Sequence, residues 1–405
     1  MFMRAFRSFL AASPAALAAC GALPAADTVA DAGAAPSNDA SVETADDAGA
    51  PDARVDAESA DSSVPCASTI GIVAGNTGVT FGATSTPLGT WAVAGLGISG
   101  GVPDAPALTA AGFAFETVAR GFNGALRASE YIQTWKSPTP MGVAAVGAPT
   151  LAVVGASVHL IYLAGDKRFY HGTQKLAWDS ATDPVASPSA AGPVYSTGSS
   201  AASASAVGSE LVIAYDGADG FLYSQSWNGS WLEAERHSTA PVSTVAPKLV
   251  ALTSGSDDLM IVFVHQGDSA LYSTRRSAAS KVWSQPLLVG AGARSTDPVA
   301  LSPLPAGGAV VLYRDADQHP YSSIYTESSH SWTTPAPVGA GANPTIASAP
   351  AVAPGVCGSD AIAVYAPAAP ASDVQIVRLR AGKWSVPEGI PAMRSMAFVS
   401  VATVP

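Results

Sequence analysis

Side chains able to do chemistry are few in this chain, and they are dispersed. Asp315 and Asp317 lie two residues apart and offer oxygen ligands of the kind calcium takes. Aspartate is equally a turn former, because its side chain bonds its own backbone. The six histidines show no paired metal-ligand spacing, and His265 and His319 fall at strand ends or turns. No Gly-x-Ser-x-Gly elbow, His-Glu-x-x-His pair or Cys-x-x-Cys pair occurs. The sequence therefore predicts no metal and no cofactor. Charged residues make up only 13% of the chain and only six are lysines, so the clustered cations that nucleic-acid binding requires are missing.

The elements that must position any site are announced by tryptophan. Trp91, Trp135, Trp178, Trp231, Trp283, Trp332 and Trp384 recur at intervals of 43 to 53 residues, and only Trp227 stands outside the series. Such a period predicts a β-propeller in which each repeat is one four-stranded blade. The surrounding text repeats as well: Trp283-Ser-Gln-Pro286, Trp332-Thr-Thr-Pro335 and Trp384-Ser-Val-Pro387 are near copies, with Trp135-Lys-Ser-Pro138 a fourth. Before each tryptophan comes an apolar run, such as Leu259-Met-Ile-Val-Phe-Val264 or Val310-Val-Leu-Tyr313. Continuous runs suit strands buried on both faces. The tryptophans themselves read as packing residues, since they recur whatever their polar neighbours.

The ends predict how the ring closes. Ile70-Gly-Ile-Val73 reads as the buried strand of a first blade that lacks an inner strand, and residues 396–404 form a strand left over after the last. Pairing the two gives an all-β, seven-bladed propeller over residues 66–405 with split-blade closure, which removes open sheet edges. Cys66 and Cys357 precede the buried strands of blades one and seven, which places them on adjacent blades. A disulfide between them is expected, with two separate thiols as the alternative.

The first 19 residues carry Arg4 and Arg7 ahead of an apolar stretch from Phe9 to Ala19, a signal peptide too short to span a membrane. Its end, Leu17-Ala18-Ala19-Cys20, resembles the lipobox of bacterial lipoproteins. That resemblance implies cleavage before Cys20 and acylation of this residue; ordinary cleavage after Ala18 is the alternative. Gly21 stands where an inner-membrane retention signal has aspartate, so the expected location is the outer membrane of a two-membrane bacterium. Residues 20–65 hold ten acidic residues against one basic residue, Arg54, and no aromatic residue. Such a segment cannot bury enough apolar surface to offset its ordering entropy, and it reads as a disordered tether.

Val118-Ala-Arg-Gly-Phe-Asn-Gly-Ala-Leu126, Tyr215-Asp-Gly-Ala-Asp-Gly-Phe-Leu-Tyr223 and Phe263-Val-His-Gln-Gly-Asp-Ser-Ala-Leu-Tyr272 resemble repeats of the fucose-binding propeller lectins of fungi and bacteria. The resemblance covers residues 66–405 as a pattern and is clearest in blades two to six. It implies non-catalytic carbohydrate binding in pockets between blades, where an Arg and a Glu hold hydroxyls and an aromatic face meets the ring. Carried over by position, it selects Arg314 and Glu327 of blade six with Tyr365 of blade seven, and Arg120 and Glu130 of blade two as a looser pair. A cross-strand salt bridge is the other reading of Arg314 and Glu327. The implied partner is a glycan or cell-surface molecule. Two further readings stay open. One is a scaffold propeller that binds protein. The other is a sialidase-like hydrolase, which would need arginines such as Arg120, Arg168, Arg314 and Arg378 to converge, although the Ser-x-Asp-x-Gly-x-Thr-Trp box of that family is not intact before Trp283, Trp332 or Trp384.

Overall fold

Apolar runs form strands that both faces can bury, and here seven of them, one interrupted by Glu116, occupy the second position in seven sheets. The structure is a computed structural model. It describes residues 68–404 except 77, 86–89, 97, 99–100, 175–182, 185–200, 239–241, 243–244, 253–257, 340–343, 369–371 and 395. The expected signal peptide (1–19), Cys20, the acidic segment to residue 65, Cys66 and Trp178 lie outside the described residues. Every element among the described residues is a strand.

The sheets are the seven blades of a propeller. Inner strands run over Phe398–Val404 in blade one, then Ala107–Ala111, Thr150–Val154, Ser203–Val207, Lys248–Ala251, Ala300–Pro303 and Ala351–Pro354 in blades two to seven. Second strands are Thr69–Gly75, Ala114–Arg120, Ser157–Leu163, Glu210–Asp216, Leu259–Val264, Ala309–Arg314 and Ala361–Tyr365. Third strands are Thr80–Ser85, Ala125–Tyr131, Phe169–Gln174, Leu222–Trp227, Leu271–Arg276, Pro320–Thr326 and Asp373–Arg380. Each inner strand touches the inner strand of the next blade, and the C-terminal strand touches those of blades two and seven. Closure follows the expected route: Thr69 pairs Val404, Gly75 pairs Phe398, and every residue between is in register.

The expected bridge between Cys66 and Cys357 is corrected in one respect: it does not stand as a described feature of the closure. Cys66 lies outside the described residues, and Cys357 alone of the pair is seen, in the disulfide-bonded state. The closure described here is carried by the strand ladder.

Burial is organised by junction rather than as one central mass. Separate apolar clusters fill the spaces between consecutive blades, for example Val262, Val289 and Val311 between blades five and six and Ala363, Tyr365 and Leu312 between six and seven. Fully burying one aliphatic or aromatic side chain of this kind stabilises by about 1.5–3 kcal/mol.

Strand register explains the tryptophan motif. Trp283, Trp332 and Trp384 each pair with the third strand of their own blade, at Arg276, Tyr325 and Leu379. The next residue, Ser284, Thr333 or Ser385, uses its hydroxyl to accept a third-strand backbone N–H at 2.9–3.0 Å, from Arg275, Ile324 and Arg378. The proline two residues later cannot donate to a ladder, which is tolerable only on an outer edge. Indoles then reach back to the preceding blade. Trp332 donates to the Ser273 hydroxyl and Trp384 to the Ser322 hydroxyl, each at 2.9 Å. Such a bond contributes about 0.5–1.5 kcal/mol net. At the matching position of blade one stands Gly82, where an added Cβ would lie 2.3 Å from the Trp135 ring. The off-series Trp227 serves the same layer: it packs beside the buried pair His159 and His171, whose ring nitrogens lie 2.8 Å apart.

Candidate functional site

Lectin-type chemistry needs hydroxyl-binding groups that share one cleft, and strand register decides which groups can. Arg314 ends the second strand of blade six, opposite Pro320, whereas Glu327 follows the third strand where Tyr325 pairs with Ala309. Five strand steps separate those ends, about 17 Å at 3.3 Å per residue. Arg314 instead binds Asp297 at 2.5 Å and the carbonyls of Ile346 and Ala347 at 3.2 Å. Glu327 accepts from Arg275 of blade five at 2.7 Å. Tyr365 is fully buried, and its hydroxyl has no hydrogen-bond partner, so it presents no face to a ligand. The structure therefore does not assemble Arg314, Glu327 and Tyr365 into one pocket.

Blade two repeats the lesson. Arg120 pairs in register with Leu126 and ion-pairs with Asp104, while Glu130 sits four steps away opposite Glu116. Of the four arginines a hydrolase would need, Arg120, Arg314 and Arg378 are each held by a carboxylate of their own blade, Asp104, Asp297 and Glu388. In blade six the Asp315 carboxylate accepts the His319 backbone N–H at 2.7 Å, the turn-forming role. Among the described residues no group of three or more His, Cys, Asp or Glu is placed to hold a metal.

Of the five selected residues, Glu130 does line a cleft. It lies between blades two and three, has a volume of about 380 Å³ and is walled by Glu116, Ala128, Glu130, Lys136, Met141 and Gln174, among others. Glu116 and Glu130 are direct cross-strand partners on the face of blade two that meets blade three. Lys136 follows Trp135 and forms an ion pair with Glu130. Gln174 ends the third strand of blade three and donates to Glu116 at 3.3 Å.

Glu116 is the unusual member. Burial first, and then the like charge of Glu130, pushes its carboxyl up to about 7. Desolvation disfavours the charged form, and a neighbouring carboxylate adds to that. A protonated Glu116 is also a donor, which suits the adjacent Gln174, whose side-chain oxygen is buried with no partner. The cleft thus combines two carboxyls, an amide and an ammonium with the apolar Met141, Pro140 and Ala128. Sequence reasoning missed Glu116 and Gln174. A usable signal was present: Glu116 is an acid inside the apolar run of a strand that reads as buried.

No family model matches the chain, and no curated protein matches it. Solved structures with the same fold are found at low identity. The BP39L lectin from Burkholderia pseudomallei superposes with a TM-score of 0.67 at 16% identity, covering 80% of this chain and 96% of that one. A mutant of AofleA from Arthrobotrys oligospora gives 0.52 at 13%, covering 75% and 90%. SapL1 lectin, solved with alpha methyl fucoside, gives 0.50 at 12%, covering 73% and 99%. At these identities the likeness concerns the fold.

Proposed function

We propose that this chain is a non-catalytic carbohydrate-binding propeller that takes a neutral, fucose-type sugar unit in the cleft between blades two and three. Held by acylated Cys20 and the acidic segment, the ring would stand on the outer membrane and meet a glycan on a surface or partner. One observation carries the reading: the cleft joins hydroxyl-binding groups, Glu116, Glu130 and Gln174, to an apolar wall at Met141 and Pro140. That mixture suits a sugar, whose hydroxyls need acceptors and donors while its C–H face needs apolar contact. The lectin names among proteins of this fold support it.

Glycoside hydrolysis is the second reading, favoured by Glu116. A carboxyl held up to about 7 beside a second carboxylate is the arrangement of a general acid with its partner.

Calorimetry with L-fucose and methyl fucosides tests the first reading. One sugar held by few hydrogen bonds should bind at about 0.1–1 mM. Glu116→Ala and Glu130→Ala should abolish the heat, while Arg314→Ala and Glu327→Ala should leave it unchanged. Binding that survives both cleft substitutions would remove the site from this junction, and no binding to any glycan would put the scaffold reading first. Release of nitrophenol from aryl glycosides, lost in Glu116→Gln, would instead establish the hydrolase.

A further inference from the structure

The axis of the ring holds a second site of different chemistry. Inner strands of six blades line a central channel of about 510 Å³. Across each blade runs one row of paired residues, and its inner member is small in six blades: Ala107, Thr150, Ser203, Ala300, Ala351 and Ser400. In blade five the same position is Lys248, paired with Val262.

The small residues have local work. Ser203 accepts the backbone N–H of Leu249 on the next inner strand at 3.0 Å, and Ser400 donates to the carbonyl of Pro106. Lys248 does not share it, because among the described residues no acceptor lies within hydrogen-bond or ion-pair reach of its ammonium. The other charges along the channel are cancelled. Asp104 is held by Arg120 and Asp297 by Arg314. Remaining walls include Leu151, Val299, Leu301, Val352 and Val401. Lys248 is half-buried, and a cation partly withdrawn from water with no counter-charge is costly, so such groups are normally paired. Burial alone lowers the Lys248 pKa, in keeping with a charge that lacks its partner.

We propose that the central channel binds a small organic carboxylate with an apolar body, its carboxylate paired with Lys248 and its chain against Leu151, Leu301 and Val352. The anion supplies the missing counter-charge, and the channel walls exclude water from the chain. This site is separate from the blade two–three cleft, and neither depends on the other.

Calorimetry on the full chain decides it, with hexanoate, its neutral analogue hexanamide and inorganic phosphate as probes. Hexanoate should bind at one site at least tenfold more tightly than hexanamide or phosphate. Lys248→Met, which keeps the length and removes the charge, should bring hexanoate down to the hexanamide level, while Lys248→Arg should retain it within a few-fold. Equal binding of hexanoate and hexanamide, or unchanged binding in a folded Lys248→Met, overturns the site. Phosphate bound as tightly as hexanoate overturns the apolar half of the assignment. A readout on the unsubstituted protein guards against a variant that fails to fold. After reductive ¹³C-methylation, the Lys248 resonance, identified by its absence in Lys248→Arg, should move on adding hexanoate; a stationary resonance overturns the proposal.

Discussion

The junction between blades five and six and the junction between blades two and three are built on the same register, yet one is sealed and the other open. Arg275 and Glu130 hold equivalent positions, each one residue before the third-strand partner of its blade's tryptophan, Arg276 or Tyr131. In the sealed junction Arg275 binds Asp258 of its own blade and Glu327 of the next, and Ser273 receives the Trp332 indole. In the open junction Glu130 faces Glu116, a carboxyl of its own sign, and Ala128 stands where Ser273 would be. The repeat dictates where side chains meet, and departures from it decide whether opposite charges pair across the junction or like charges are brought together. Glu327 illustrates the risk of reading residues one blade at a time, because its partner lies on the preceding blade.

The largest effect that tests this contrast is expected at Arg275. Replacing it with methionine leaves Asp258, whose side chain is only 6% exposed, and Glu327 without their cation. Removing one member of a buried ion pair costs about 3–5 kcal/mol. Urea unfolding at neutral pH should show a loss of that size. A change under about 1 kcal/mol would mean that the sealed junction owes little to its charges.

A smaller effect of opposite sign is expected at Glu116. Its folded pKa of about 7 lies above its ordinary value of 4.5, so between those pH values the folded protein keeps a proton that the unfolded chain has lost. Stability from this group is fully present below pH 4.5, falls as pH rises toward 7 and stays low above it. Glu116→Gln removes that loss. At pH 8 it should stabilise the protein by about 1–3 kcal/mol, a range reduced for the solvent that reaches the cleft. Melting curves from pH 4 to 8 check this. A variant whose profile parallels the unsubstituted protein would show that Glu116 titrates normally.

The smallest effect separates both junctions from the buried aromatic of blade seven. Tyr365→Phe removes a buried hydroxyl without a hydrogen-bond partner. Leaving such a group unmade costs about 1–3 kcal/mol, so its removal should be neutral or raise stability by up to about 1 kcal/mol. Sugar binding should not change. Weaker binding in a folded variant would return Tyr365 to the site.

Sequence by itself determined the fold. The spacing of the tryptophans gave seven units, the apolar runs gave strands buried on both faces, and the leftover ends gave the closure at 69–75 and 398–404. These are legible because a repeat writes a similar packing demand blade after blade: Trp135, Trp332 and Trp384 meet the same third-strand position of the blade before them, at Gly82, Ser273 and Ser322. The site was legible only in part. Glu130 lines the cleft proposed as the site; Arg314, Glu327 and Tyr365 were placed together by linear spacing, and the structure parts them. Antiparallel pairing puts residues at the start of one strand beside the end of its partner, so separation along the chain does not give separation in space. Cross-strand register brought Glu116 to Glu130, the packing of blade three on blade two brought Gln174 to Glu116, and the turn of the inner strands set Lys248 in the channel. The first meeting depends on register within one blade, the second on how consecutive blades pack, and the third on the arrangement of the inner strands around the axis.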